Sequence, residues 1–265
     1  MFDFFRARPI LSDEDFYFQI ETYKWLLKNF GGKDFFEKTE LVLPTKTYFK
    51  TLADDPHEVA VEIFDAVKKY AGMEDWPCIL EAQEEDIETK VAPTIVMENV
   101  PDNPLGTFRV VDDENIVITY NPNLLGDPSR LVATLAHELA HYLTSTASDD
   151  PPGGWDNCEF VTDIAANYLG FGIFMANSTF NFKQYADVDS QGWEYQRSGY
   201  LSEAEHVFAL ALFLALTGRS TKDALPYLKP NLARLLKKAA KQITSNGIVE
   251  HLLISVSKAN ARLSR

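Results

Sequence analysis

Ala136-His137-Glu138-Leu139-Ala140-His141-Tyr142-Leu143 is the stretch from which the rest of the chain is read. His137 and His141 are four residues apart, so on a helix they share one face and can bind a single Zn²⁺. Glu138 lies between them and is suited to act as general base toward a water that such a metal activates. At about 100° per residue, with His137 at 0°, His141 falls near 40° and Glu138 near 100°. Leu131, Val132, Leu135, Leu139, Tyr142 and Leu143 fall between about 120° and 240° on the same wheel. The expectation is a helix seated in the core by that apolar face, with its imidazoles toward a cleft. Asp127-Pro128 supplies its start, an N-cap followed by a proline in the first turn.

The second decisive stretch is Glu159-Phe160-Val161-Thr162-Asp163. Glu159 and Asp163 are also four apart and share a helix edge, while Phe160, Val161, Ile164, Tyr168 and Phe171 form the apolar face of one continuing helix. Thr162 and Ala166 stand on the carboxylate side and are small enough to let a neighbouring helix approach. The connection from Thr146 to Asp156 is rich in Asp, Pro and Gly. It can reach about 36 Å, ample for helices packed about 8–10 Å apart. Glu159 is therefore expected to join His137 and His141 as a third metal ligand. Asp163 is expected to accept an N–H from a ligating histidine and fix its tautomer. Asp156 is a rival ligand, and Cys158, turned about 100° from Glu159, reads as a packed thiol.

The composition frames this as an ordinary folded protein, since 46% apolar and 24% charged residues are average for a globular chain. At 265 residues one domain is expected, spanning 1–265. No segment reaches the roughly 18 uninterrupted apolar residues of a membrane span, and Val207–Leu216 reads as a buried core helix. The first residues carry no basic region ahead of an apolar one, and Cys78 and Cys158 give no disulfide framework, so a cytoplasmic location is expected. The net charge of −14 is uneven: residues 1–216 hold 15 Lys/Arg against 37 Asp/Glu, and residues 217–265 hold 10 against 2. An acidic body argues against nucleic-acid binding. The basic tail reads as a helix docked by charge complementarity on that body rather than as a membrane or partner patch.

Elsewhere a helix is expected from Ser12 through about Phe30, stopped by Gly31-Gly32, and another from the Asp55-Pro56 cap to about Ala71. Leu41–Leu43, Cys78–Leu80 and Thr94–Met97 read as short strands, and Thr107–Val111 with Ile116–Tyr120 as a hairpin around Asp112–Asn115. Strands followed by helices indicate an α+β domain: 1–125 mixed, 126–265 mainly helical, with the metal site at 137–163. The strand ending at Tyr120 is expected to be an edge strand lining the cleft, able to pair with an extended peptide. Ser202-Glu203-Ala204-Glu205 is a capping box with Leu201 before it and His206 after it. His206, Tyr195, Arg197 and Tyr200 are candidates to touch substrate or a developing oxyanion. Gly153-Gly154-Trp155 reads as a turn with a packed indole.

The HELAH stretch followed by ExxxD resembles the gluzincin branch of the HExxH zinc metallopeptidases, which includes thermolysin-like enzymes, over about residues 107–175. The resemblance implies a zincin-like fold, a small sheet region with an edge strand over a helical half. It implies one Zn²⁺ on His137, His141 and Glu159, Glu138 as general base, Asp163 behind the ligands, and hydrolysis of a peptide or protein substrate. The tyrosine and histidine that polarise the substrate carbonyl in the thermolysin pattern have no counterpart visible in the sequence. Two other readings stand beside it: a non-catalytic zinc-binding regulatory or interaction module on the same scaffold, and a zinc amide hydrolase acting on a non-peptide substrate. Glu138 favours an enzyme, because a purely structural site closes its fourth position and needs no base.

Overall fold

The computed structural model describes residues 9–31, 33–83, 105–111, 116–186 and 200–254. The regular elements begin with α1 (Asp13–Phe30), α2 (Lys33–Lys38) and α3 (Pro56–Tyr70), followed by β1 (Ile79–Ala82), β2 (Gly106–Val110) and β3 (Ile116–Tyr120). Helices then take over: α4 (Pro128–Ser145), α5 (Cys158–Ala166), α6 (Gly172–Ala186), α7 (Glu203–Leu216), α8 (Thr221–Ala224) and α9 (Pro230–Ser245). The fold is thus α+β and mostly helical, with one small three-stranded sheet among the described residues. Three helices precede the first strand, so strands do not simply come first.

The caps read from the sequence are present. The Ser12 hydroxyl accepts from the Asp15 N–H at α1, Asp55 accepts from the His57 and Glu58 N–H groups at α3, and Asp127 accepts from the Arg130 N–H at α4. Each satisfies donors that a helix start leaves without intrahelical partners.

The three strands form one sheet in the order β1-β3-β2. β3 runs parallel to β1, with Ile79 opposite Val117, and antiparallel to β2, with Gly106 opposite Tyr120. The strand ending at Tyr120 is therefore central, not an edge. Its Ile116, Val117, Ile118 and Tyr120 are buried, whereas β2 is half-exposed along its length. β1 and β2 are the two edge strands among the described residues, and β2 is the one that lies against α4. Leu41–Leu43 is not a strand. This segment crosses the chain at Gly170, where the Val42 N–H donates to the Gly170 carbonyl at 3.0 Å. The strand expected at Thr94–Met97 and the turn at Asp112–Asn115 lie outside the described residues, as do Tyr195 and Arg197.

α4 is the central helix and buries 13 of its 18 residues, His137 and Glu138 among them. Its histidine edge is largely enclosed, with His141 and the facing Glu159 still partly exposed. α5 packs beside it. The single helix expected to continue from Glu159 through Phe171 is instead broken by a wide turn over Asn167–Phe171, with Gly170 at φ 98°. A Cβ there would run into the Glu40 carbonyl, so only glycine permits both the positive φ and the crossing of Glu40–Val42.

α7 is apolar on all sides and buried on all sides, as its run of Val207–Leu216 requires. α9 covers it with a stripe of Leu232, Leu236, Ala239 and Ile243. Arg234, Lys237, Lys238 and Lys241 point outward, and among the described residues none of them makes an ion pair. The basic tail thus docks through its apolar stripe, with those cations on the solvent face. No described helix is long and apolar enough to cross a membrane.

Candidate metal centre

α4 and α5 lie side by side, so one edge of each faces the other and the two motifs meet. His137 Nε2 is 3.1 Å from His141 Nε2 and 3.2 Å from Glu159 Oε2, and His141 Nε2 is 3.4 Å from Glu159 Oε2. Ligand bonds of about 2.0–2.1 Å in a tetrahedral zinc site place neighbouring donor atoms about 3.3–3.4 Å apart. The triangle has the right size for one metal ion with a fourth position open. Among the described residues this is the only group of three or more His, Cys, Asp or Glu side chains that could hold one. Asp156, the rival ligand, sits in the exposed turn before α5 and is not part of it.

The far side of each ring is also held. His137 Nδ1 is 2.9 Å from Asp163 Oδ1, and a carboxylate can only accept, so Nδ1 carries the proton. His141 Nδ1 meets the Thr162 hydroxyl at 3.2 Å. With the protons on both Nδ1 atoms, as a bound cation requires, two imidazole lone pairs and a carboxylate oxygen converge on one point. Three acceptors aimed at each other repel unless a cation lies between them, so the donor set fits a metal.

The electrostatics agree with that fit. Burial disfavours a charged His137, but hydrogen bonds and charge from Asp163 and Glu159 outweigh it and hold its pKa well above the ordinary histidine value. Burial opposes ionisation of Glu159 too, yet His137 and His141 hold its carboxyl far below the usual range. Without metal the pair shares a proton-mediated contact, and a divalent cation would replace that proton. Burial pushes the Glu138 carboxyl upward, partly offset by the two imidazoles.

β2 forms the wall over this edge of α4. A Cβ on Gly106 would lie 3.0 Å from Glu138 Oε1 and 2.6 Å from the Thr134 methyl, so glycine lets the strand approach the base. Phe108 stacks across His141 at 6.4 Å and Tyr142 at 5.6 Å between ring centroids. The Asn121 N–H donates to the Leu105 carbonyl at 2.9 Å, which fixes the ladder phase. Thr107 and Arg109 therefore bond toward β3, and the backbone groups of Gly106, Phe108 and Val110 point off the outer edge.

Of the substrate candidates, Tyr200 lies at the site, its ring centroid 5.8 Å from that of His137. Burial, reinforced by Glu159, Asp163 and Glu138, raises its pKa far above the ordinary tyrosine value, so its hydroxyl stays a donor. His206 lies elsewhere. It is buried behind Asp163, with Nε2 3.5 Å from Asp163 Oδ2 and Nδ1 3.1 Å from the Asn167 amide nitrogen. Cys158 is half-buried and its thiol is pushed up by burial and then by Glu159, as a packed thiol would be. Gly153 and Gly154 do form a positive-φ turn, but Trp155 is half-exposed, its indole N–H donating to Asp150. The indole is not packed.

Sequence reasoning missed three contributors. Thr162 was read only as a small spacer, although a hydroxyl three residues after Glu159 shares its face. Gly106 and Phe108 gave no signal without knowing that β2 crosses α4. Comparisons of the chain with family models, curated proteins and solved structures returned no match.

Proposed function

We propose that the protein is a zinc-dependent metallopeptidase with a zincin-like arrangement, of the gluzincin type. The observation that carries this reading is a carboxylate, Glu138, buried beside a three-donor triangle and facing an edge strand. A His₂Glu set is borderline in softness and suits Zn²⁺ better than the all-oxygen sites of Ca²⁺ or Mg²⁺. When bound, such an ion would polarise a carbonyl and acidify a water.

The chain's own residues supply the rest. The outward N–H and C=O groups of Gly106, Phe108 and Val110 can pair with an extended substrate, which lays its backbone along β2 beside the metal edge of α4. Glu138 takes the proton from the attacking water and passes it to the leaving amine. Its buried position raises its proton affinity toward working pH, which improves a base. Tyr200, held protonated, donates to the oxygen that gains charge as the carbonyl is attacked.

The test is a peptide-library digestion by the zinc-loaded chain alongside Glu138→Gln. Wild-type cleavage, with the variant keeping zinc and losing hydrolysis, is expected. A zinc-loaded wild type that cleaves nothing favours the non-catalytic module, and a variant with undiminished turnover removes Glu138 from the mechanism. Cleavage of acylated amines but not peptides would favour the amide hydrolase.

A further inference from the structure

Asp163 Oδ2, the oxygen not bonded to His137, has two polar neighbours that the proposed chemistry does not use. One is the backbone N–H of Leu201 at 2.9 Å, and the other is His206, 2% exposed, with Nε2 at 3.5 Å. The tautomer of His206 follows from its other neighbour. Asn167 donates from its amide nitrogen to the Asp163 backbone carbonyl at 2.8 Å, which identifies that atom as nitrogen. The same nitrogen is 3.1 Å from His206 Nδ1, which must therefore accept. The proton of a neutral His206 is then on Nε2 and points at Asp163.

We propose that His206 is a positioning residue of the metal centre: with its tautomer set by Asn167, it donates to Asp163 and so orients the carboxylate that holds His137. The chain of contacts runs Asn167, His206, Asp163, His137, and ends at the nitrogen that would bind the ion. Each link fixes the proton of the next. Asp163 is 2% exposed; it accepts from the N–H groups of His137 and Leu201, and His206 Nε2 stands 3.5 Å from its second oxygen. His206 holds this place because the capping box of α7 sets its backbone: the Ser202 hydroxyl accepts from the Glu205 N–H, and the Glu205 carboxylate accepts from the Ser202 N–H. Tyr200 immediately precedes the clamped Leu201, so the clamp also fixes where that ring enters the site.

This role rests on the metal reading, and the experiment separates the two. Zinc affinity is measured by competition with a chelator for wild type, His206→Leu, His206→Gln and Asn167→Ala, with folding of each checked by circular dichroism. Imidazole ¹⁵N spectra of the metal-free wild type and Asn167→Ala report which ring nitrogen of residue 206 carries the proton. Glutamine places an amide N–H where His Nε2–H stood. His206→Leu is expected to weaken zinc about 10-fold, the low end for an outer-shell loss, with His206→Gln restoring most of it. Wild-type His206 should show Nε2–H, and Asn167→Ala should mix the tautomers. Folded His206→Leu with undiminished affinity, or a wild-type Nδ1–H tautomer, overturns this role and leaves the metal reading standing. A wild type that takes no zinc overturns both.

Discussion

α4 and α9 begin alike, each with a proline in its first turn, and have similar lengths of 18 and 16 residues. They are used in opposite ways. α9 buries a stripe of four, Leu232, Leu236, Ala239 and Ile243, and leaves its cations in water. α4 buries nearly its whole circumference, including groups that resist burial: His137 is 4% exposed and Glu138 6%. An unpaired charge in such a place costs several kcal/mol, so the two histidines on α4 need designated partners. Asp163, Glu159 and Thr162 on α5 are those partners for the histidines. Burying polar groups on one helix edge thus commits a second helix, and that commitment is what distinguishes a site from a docking stripe.

The contrast can be broken at several points. The largest effect is expected at Glu138→Gln, which keeps shape and burial while removing the proton acceptor. Hydrolysis should fall about 10²–10⁴-fold with zinc content unchanged, read from steady-state rates and elemental analysis. Next is Leu236→Ala on α9, which should cost about 2–5 kcal/mol of unfolding free energy in denaturant melts. Zinc affinity of the folded variant should not move, because the stripe is remote in function from α4. A change in affinity there would dissolve the distinction between the two helices.

Asp163→Asn should weaken zinc about 10–100-fold, and Glu159→Gln should weaken it more, since it removes a charged ligand rather than a ligand's partner. Chelator competition ranks the two, and the reverse order would make Asp163 the third ligand. The same titration run against pH has a definite sign. Carboxylates hold His137 protonated to above the usual histidine range, and the ion must displace that proton. Affinity should therefore fall as pH drops and climb as pH rises through the raised pKa. The smallest effect is expected on the outer face of α9: Lys237→Gln or Lys238→Gln should shift stability by less than about 0.5 kcal/mol.

Much of this was legible in the sequence for local reasons. Asp127-Pro128 starts α4 where its cap requires, the spacing of His137 and His141 fixes a shared edge, and Ser202 with Glu205 closes the start of α7. Each depends on neighbours within one or two turns. What was not legible depends on crossings. The rank of β3 as central strand is set by which strands flank it, not by its own alternation. Tyr168 and Phe171 fell on one wheel with Glu159 because nothing local announces that Glu40–Val42 passes over Gly170. His206 was explained by its cap position, and its partner Asp163 is 43 residues away and invisible to that logic. Thr162 and Gly106 matter only through what faces them.

The crossing at Gly170 has a consequence in time as well as in space. Val42 and Gly170 are about 130 residues apart, so their bond is among the least local in the chain, and such contacts form late because they must first close a long loop. During synthesis the segment around Val42 emerges well before its seat exists. The turn that follows α5 gains its bond from Val42 only when that early segment returns, and that segment contributes no donor atom to the triangle. Weakening that return, as Val42→Gly would, should delay the acquisition of zinc during refolding more than it lowers the affinity finally reached.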